Sequence, residues 1–194
     1  MSTIYIIRHG ESHANAGLTT FATDAIPLTP LGHEQAAQVP NKLPNHIDLI
    51  LHSNYLRTKE TAMPTIEKFP NTLVKIWDSI HEFTYLDPVQ CFGTNMEERK
   101  PIVDAFWNAR NPYLQVHPNT ESFEQFIGRV KETHSLLRHE FGGANKTVAM
   151  FTHALFIKAF FQVEEQPTAP VQKLMDEFFD CPVIKNCDIF EYTV

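Results

Sequence analysis

Two short runs of the chain obey the same rule. Ile4-Tyr5-Ile6-Ile7 is apolar and mostly β-branched, and it ends in Arg8-His9-Gly10. Val148-Ala149-Met150-Phe151 follows Thr147 and ends in Thr152-His153-Ala154. An unbroken apolar run of this length, cut off by polar residues, marks a strand buried on both faces whose carboxyl end opens onto a loop. Such strands belong to layered sheets flanked by helices, and ligands there gather beyond the carboxyl ends of the strands. An arginine and two histidines are thus delivered to the edge where a site would form. The two histidines meet if their strands are neighbours.

The rest of the chain alternates accordingly. A polar loop over 10–28 carries Gly17, Asp24, Pro27 and one exposed aromatic, Phe21. Thr29 as N-cap and Pro30 at the first helical position open a helix with Leu31, Gln35, Ala36 and Val39 on one face, ended by Pro40 and Pro44. Ile47–Leu51 reads as a strand, Ser53 as the next N-cap, and Tyr55, Leu56, Arg57, Thr61, Ala62 and Ile66 as its helix. Leu73–Trp77 alternates as a third strand. From Phe83 to Thr120 the rhythm breaks, with Pro88, Pro101, Pro112 and Pro118 punctuating one helix over Glu97–Ala109. This segment reads as an insertion over the carboxyl end of the sheet, within a single domain spanning 1–194. Glu121–Phe141 is a long helix with Phe123, Phe126, Ile127, Val130, Leu136 and Leu137 at helical spacing, stopped by Gly142-Gly143. Helices over Ala154–Val163 and Leu174–Phe179 and a strand over Ile189–Val194 complete the pattern. The fold class is α/β: three layers, α/β/α, around a mostly parallel mixed sheet.

Composition narrows the function. A net charge of -7 argues against non-specific binding to nucleic acid or an anionic membrane. It leaves room for a phosphate ligand, which a few local cations hold. No apolar stretch reaches the about 20 residues of a membrane span, and no basic region precedes an apolar run at the start of the chain. The cysteines, Cys91, Cys181 and Cys187, lack C-x-x-C spacing. A reduced, cytoplasmic setting is expected, with Cys181 and Cys187 as packing thiols in preference to a disulfide.

Four strand ends carry polar groups: Arg8-His9, Ser53 to Arg57, His81-Glu82 and His153. Two arginines, two histidines and a carboxylate suit a tetrahedral phosphoryl group. Guanidinium forks bind phosphate oxygens and stay charged. A neutral imidazole is a nucleophile toward phosphorus, and neighbouring guanidinium groups lower its pKa. A carboxyl group protonates the leaving oxygen and then activates water; Glu82 is the candidate, with Glu11 and Asp78 as alternatives. Other chemistries fit less well. His9 and His13 are four apart, but Gly10 stands where a helical metalloprotease motif needs Glu, so no metal or other cofactor is expected. There is no G-x-S-x-G elbow, and Gly142 to Thr147 precedes a strand where a P-loop would follow one.

Arg8-His9-Gly10-Glu11-Ser12 with Asn15 resembles the signature of the histidine phosphatase superfamily, in its phosphoglycerate mutase-like branch. Leu28 to Ala36, Ser53 to Ala62, Glu121-Ser122-Phe123 with Arg129, Thr152-His153 and Asn186 to Ile189 resemble further blocks of that family, in family order. The resemblance implies His9 as the phosphorylated nucleophile, Arg8, Arg57 and His153 as phosphoryl ligands, Glu82 as proton donor and Asn15 as a phosphate or substrate contact. It implies metal-independent hydrolysis of a phosphomonoester, small or on a protein. A mutase-type phosphotransferase and a silent phospholigand-binding protein are the alternatives. Ala154 departs from the family's usual glycine.

Overall fold

The computed structural model describes residues 1–180 and 182–194. In chain order the elements are β1 (Thr3–Arg8), α1 (Pro30–Lys42), β2 (Leu49–His52), α2 (Leu56–Lys68), β3 (Leu73–Ile76), α3 (Pro88–Cys91), α4 (Met96–Asn108), α5 (Phe123–Phe141), β4 (Thr147–Thr152), α6 (Ala154–Glu165), α7 (Val171–Asp176) and β5 (Ile189–Thr193). The sheet order is β3-β2-β4-β1-β5. The first four strands are parallel and β5 runs antiparallel to β1. The α/β expectation holds, and β1 and β4 are neighbours, with Arg8 opposite Thr152.

Strand alternation builds the layers. Ile4 and Ile6 of β1 join Val148 and Met150 of β4 on one face, under Phe126 and Val130 of α5 and Phe156 and Phe160 of α6. Ile7, Ile50, Ala149 and Phe151 face the other way, onto Val39 and Ala62 of α1 and α2. Successive side chains of a strand point to opposite faces, so an all-apolar strand needs a helical layer on each. Each fully buried Phe, Ile or Leu contributes about 1.5–3 kcal/mol.

Several local expectations shift. Ser53 is not the N-cap of α2: Tyr55 holds that position, and the Ser53 hydroxyl is spent elsewhere. Pro40 lies inside α1, which runs two residues past it, because a proline in the last turn forfeits one hydrogen bond and leaves little helix to distort. Leu136 is 38% exposed, and Thr133 and His134 take the buried face of α5 instead. The β3 edge strand leaves Leu73 and Ile76 open to solvent, with Lys75 between them. Thr29 does cap α1, accepting from Gly32 N at 3.0 Å.

The 83–120 segment carries α3 and α4 and is anchored by aromatic packing. Phe83 stacks on Phe126 of α5 at 4.5 Å between centroids, and Trp107 stacks on Phe178 at 5.5 Å. Cys181, one half of the pair weighed for a disulfide, lies outside the described residues; Cys187 is buried. Among the described residues no helix is long and apolar enough to cross a membrane.

Candidate active site

All four parallel strands finish at one edge, and the polar groups meet there. His9 extends β1 by one residue, its N–H donating to Thr152 O at 3.0 Å. Its ring is 3% exposed. Nδ1 lies 2.7 Å from Gly10 O. A carbonyl only accepts, so Nδ1 carries the proton and Nε2 holds a free lone pair. Arg57 Nε donates to that Nε2 at 3.2 Å, which fits the same tautomer. The turn behind His9 cannot slip. Gly10 N donates to Thr61 Oγ1 at 3.0 Å, and a Cβ on Gly10 would sit 2.5 Å from Gly32 O, where α1 begins.

His153 stands at the N-cap of α6, fully buried, its ring centroid 5.2 Å from that of His9. Nε2 bonds the Ser53 hydroxyl at 2.8 Å. Tyr55 packs edge-on against His153 at 5.1 Å, and the Arg57 guanidinium lies over the Tyr55 ring at 4.7 Å. Burial, reinforced by Arg57 and Arg8, holds His9 well below its ordinary pKa. Burial, then Arg57 and His9, does the same to His153. Both rings are neutral at pH 7.

Glu82 is seated on the amino end of α6. Its Oε1 accepts from Phe83 N at 3.0 Å and Phe156 N at 3.2 Å, and its Oε2 from Leu155 N at 3.3 Å. Burial pushes its pKa up, against the pull of Arg57, the Phe83 and Leu155 amides and Arg8. The turn after β3 that delivers it is held by Arg129 of α5, which donates to Ser79 O at 2.8 Å and His81 O at 3.0 Å. Glu121 grips Arg129 at 2.7 and 2.8 Å.

The remaining sequence candidates fall around this centre. Arg8 Nη1 donates to Ile184 O at 2.7 Å, while its buried Nε has no acceptor among the described residues. His153 Nδ1 is likewise buried without a partner. Asn15 is exposed, and its Oδ1 accepts from Ser12 N and from Asn186 Nδ2, both at 3.2 Å. Asn186 also donates to His9 O at 3.0 Å and precedes Cys187, whose φ of 57° is left-handed. Such a conformation in a non-glycine residue persists only where the surroundings enforce it. Glu11 Oε1 is taken by the Thr29 hydroxyl at 2.7 Å. Glu82, and neither Glu11 nor Asp78, lines the cavity of about 260 Å³ that Arg57 shares with Tyr55, Tyr85 and Arg99. Tyr55, Thr61 and Asn186 fall inside sequence blocks already singled out, but no role was read for them; Arg99 stands at no strand end and was not singled out.

The model of the histidine phosphatase superfamily (branch 1) matches residues 4–174. The chain belongs to that superfamily. One relative, the putative phosphoserine phosphatase 2 of Hydrogenobacter thermophilus, is 30% identical over 135 residues, 68% of this chain and 64% of its own length. The chain therefore spans under two thirds of that relative. Among solved structures, Bacillus stearothermophilus YhfR aligns over 100% of this chain and 92% of its own, with a TM-score of 0.79 and 23% identity. Mycobacterial glucosyl-3-phosphoglycerate phosphatase complexed with VO3 aligns over 97% and 90%, with a TM-score of 0.75 and 18% identity. At these identities the solved structures establish the histidine phosphatase fold and nothing finer.

Proposed function

We propose that the chain hydrolyses a phosphomonoester in two steps through a phosphohistidine on His9 Nε2. In the first step the Nε2 lone pair attacks phosphorus in line, the ester P–O bond breaks, and the Glu82 carboxyl gives its proton to the departing oxygen. In the second, water attacks phosphorus, Glu82 takes its proton, and the P–N bond breaks to release inorganic phosphate and His9. Arg8, Arg57 and His153 bind the phosphoryl oxygens, and the two guanidinium groups offset the charge that spreads over them in the transition state. Asn15 acts through Asn186 on the His9 carbonyl, so its proposed part is to position the nucleophile.

One observation carries this reading. The unprotonated His9 Nε2 faces Arg57, and the buried Arg8 Nε and His153 Nδ1 of the same group have no hydrogen-bond partner among the described residues. Buried donors are seldom left unpaired, and an oxyanion held over His9 satisfies them. In the tautomer that carries the His153 proton on Nδ1, with Nε2 accepting from the Ser53 hydroxyl, that ring adds a second donor to the oxyanion. The name of the Hydrogenobacter relative supports the same class of reaction. The test is turnover of p-nitrophenyl phosphate in the presence of a chelator. Wild type is expected to release phosphate, and His9→Ala to lose at least about 1,000-fold, the nucleophile being the group that makes the bond. Equal rates for the two proteins, or none for wild type, would sink the proposal.

A further inference from the structure

We infer that Ser53 and Thr58 are positioning residues that act through His153: their hydroxyls pin the proton of the free ring to Nε2, so His153 holds the phosphoryl group by gaining a second proton at Nδ1. This rests on the phosphatase reading above and says how that site comes by one of its donors. A donor at Nδ1 is available in two ways, from the neutral Nδ1–H tautomer or from an imidazolium that keeps Nε2–H on Ser53. The hydroxyls behind the ring select the second.

His153, Ser53 and Thr58 are fully buried and stand in a row. His153 Nε2 lies 2.8 Å from Ser53 Oγ, and Ser53 Oγ lies 2.8 Å from Thr58 Oγ1. Thr58 Oγ1 faces two carbonyls, Tyr55 O at 2.7 Å and Ser53 O at 3.2 Å. Each step of this row is a hydrogen bond and needs one proton. A carbonyl only accepts, so the Thr58 proton goes to a carbonyl. Thr58 Oγ1 then offers Ser53 only lone pairs, and the Ser53 proton goes to Thr58. The last contact takes its proton from the ring, on Nε2. Tyr55 N–H, 3.2 Å from Ser53 Oγ, fills the remaining lone pair of that hydroxyl. The reverse order has Thr58 donating to Ser53 and Ser53 to Nε2. It leaves the 2.7 Å contact with Tyr55 O as two oxygens with no proton between them.

The row ends at a carbonyl, which cannot pass a proton on, so Nε2–H has no exit along it. Nδ1 is buried and has no hydrogen-bond partner among the described residues. In the free ring it carries a lone pair, which repels a phosphoryl oxygen. It becomes a donor when it takes a proton. With the monoanion of the ester, the P–O–H bond breaks, an Nδ1–H bond forms, and the ring becomes an imidazolium beside a dianion; no other bond changes. With a dianion, water supplies the proton. Arg57, His9, His81 and Arg129 oppose that charge in the protein alone. Tyr55 packs edge-on against the ring, and Glu82 sits on the Leu155 and Phe156 amides next along α6. A dianion held over His9 reverses the balance, because an opposite charge within about 4–6 Å favours the protonated form.

Nitrogen-15 NMR of histidine-labelled protein tests this, with saturating tungstate, a tetrahedral dianion, as the probe. Protonated and bare imidazole nitrogens resonate far apart, and His153→Asn identifies the His153 signals. Free wild type is expected to show Nε2–H with a bare Nδ1, and both nitrogens protonated with tungstate bound. Thr58→Val removes the hydroxyl at nearly constant size and frees the Ser53 proton for Nε2. The free ring is then expected to carry its proton on Nδ1, and Thr58→Ser to restore the wild-type pattern; a merely structural role for the hydroxyls moves neither signal. Ser53→Ala is expected to lower kcat/KM for p-nitrophenyl phosphate by about 10- to 100-fold, the usual worth of a hydrogen bond to a charged group. Nδ1–H with a bare Nε2 in free wild type, a ring that stays neutral with tungstate, or a folded Thr58→Val with the wild-type pattern overturns the inference. Should the variants fail to fold, the two wild-type spectra decide by themselves. Turnover of p-nitrophenyl phosphate by wild type leaves the phosphatase reading standing whatever the spectra show, and its absence sinks that reading.

Discussion

Glu82→Gln separates the proton donor from everything else Glu82 does. The side chain keeps its size, and its amide oxygen placed where Oε1 now lies still accepts from Phe83 N and Phe156 N. The amide nitrogen then faces Leu155 N, which donates to Oε2 at 3.3 Å in the native site. Losing that one bond costs about 1–3 kcal/mol, within the about 5–15 kcal/mol that a domain holds in reserve. The protein therefore folds. The chemistry suffers more, and unequally. A general acid contributes about 10²- to 10⁴-fold, or about 2.7–5.4 kcal/mol at 1.36 kcal/mol per decade. An alkoxide leaving group needs all of it; p-nitrophenolate departs unprotonated. Steady-state rates blur this difference, because Glu82 also activates water for the second step on either substrate. Rapid-mixing measurement of the first turnover isolates phosphorylation. Phosphorylation by an alkyl ester is expected to slow by two to four decades (about 10²–10⁴), and by p-nitrophenyl phosphate by less than about tenfold, with a burst of p-nitrophenol ahead of slow phosphoenzyme hydrolysis. Equal slowing of the first turnover on both esters would refute Glu82 as the acid.

Two further predictions follow from the same geometry. His9 and His153 are depressed in the folded state, and His52, His81 and His134 move the same way. Below about pH 6.5 the unfolded chain takes protons that the folded one refuses, so stability present above that pH is lost as pH falls, at about 1.4 kcal/mol per unit for each such histidine. Glu82, raised, binds its proton more tightly when folded and opposes the trend in the lower part of the window. Urea midpoints between pH 7.5 and 5.5 are expected to fall with pH, and constant midpoints would contradict neutral buried rings. Arg129→Met leaves the partly buried Glu121 carboxylate without its counter-ion, bonded only by Thr84, and frees the Ser79 and His81 carbonyls. It should cost about 3–5 kcal/mol in chemical denaturation, with kcat falling more than KM rises. A loss under about 1 kcal/mol would mean that the pair is no more than a surface bridge.

The parts of this site that were legible in the sequence share one property: they sit at the ends of apolar strands. Arg8, His9 and His153 announce themselves because a strand buried on both faces has no reason to end in a cation or an imidazole. Arg57 and Glu82 follow from the same rule applied to β2 and β3, although Glu82 arrives only after a short turn over Asp78–Ile80. Ser53 was misread because serine before a helical run is a common N-cap, and nothing local says that its hydroxyl will bond a histidine a hundred positions away. Leu136 was misplaced because His134 stacks on Phe160 at 3.8 Å and donates from Nε2 to its carbonyl, so a polar residue claimed a core position. Arg99 escaped notice because a lone arginine among charged helical neighbours reads as a solvated face.

The sequence by itself determined the alternation of strand and helix, the two-sided burial of β1 and β4, and the residue types present at their carboxyl ends. Those depend on near neighbours, and hydrophobic period and capping chemistry record them directly. Only the tertiary structure decided that β4 lies beside β1, that α6 offers its amides to Glu82, which tautomer His9 adopts, and that Arg99 lines the same cavity as Arg57. Each of these joins residues far apart in the chain through a hydrogen bond or a burial, and the strength of such a contact depends on the distances and dielectric that folding creates.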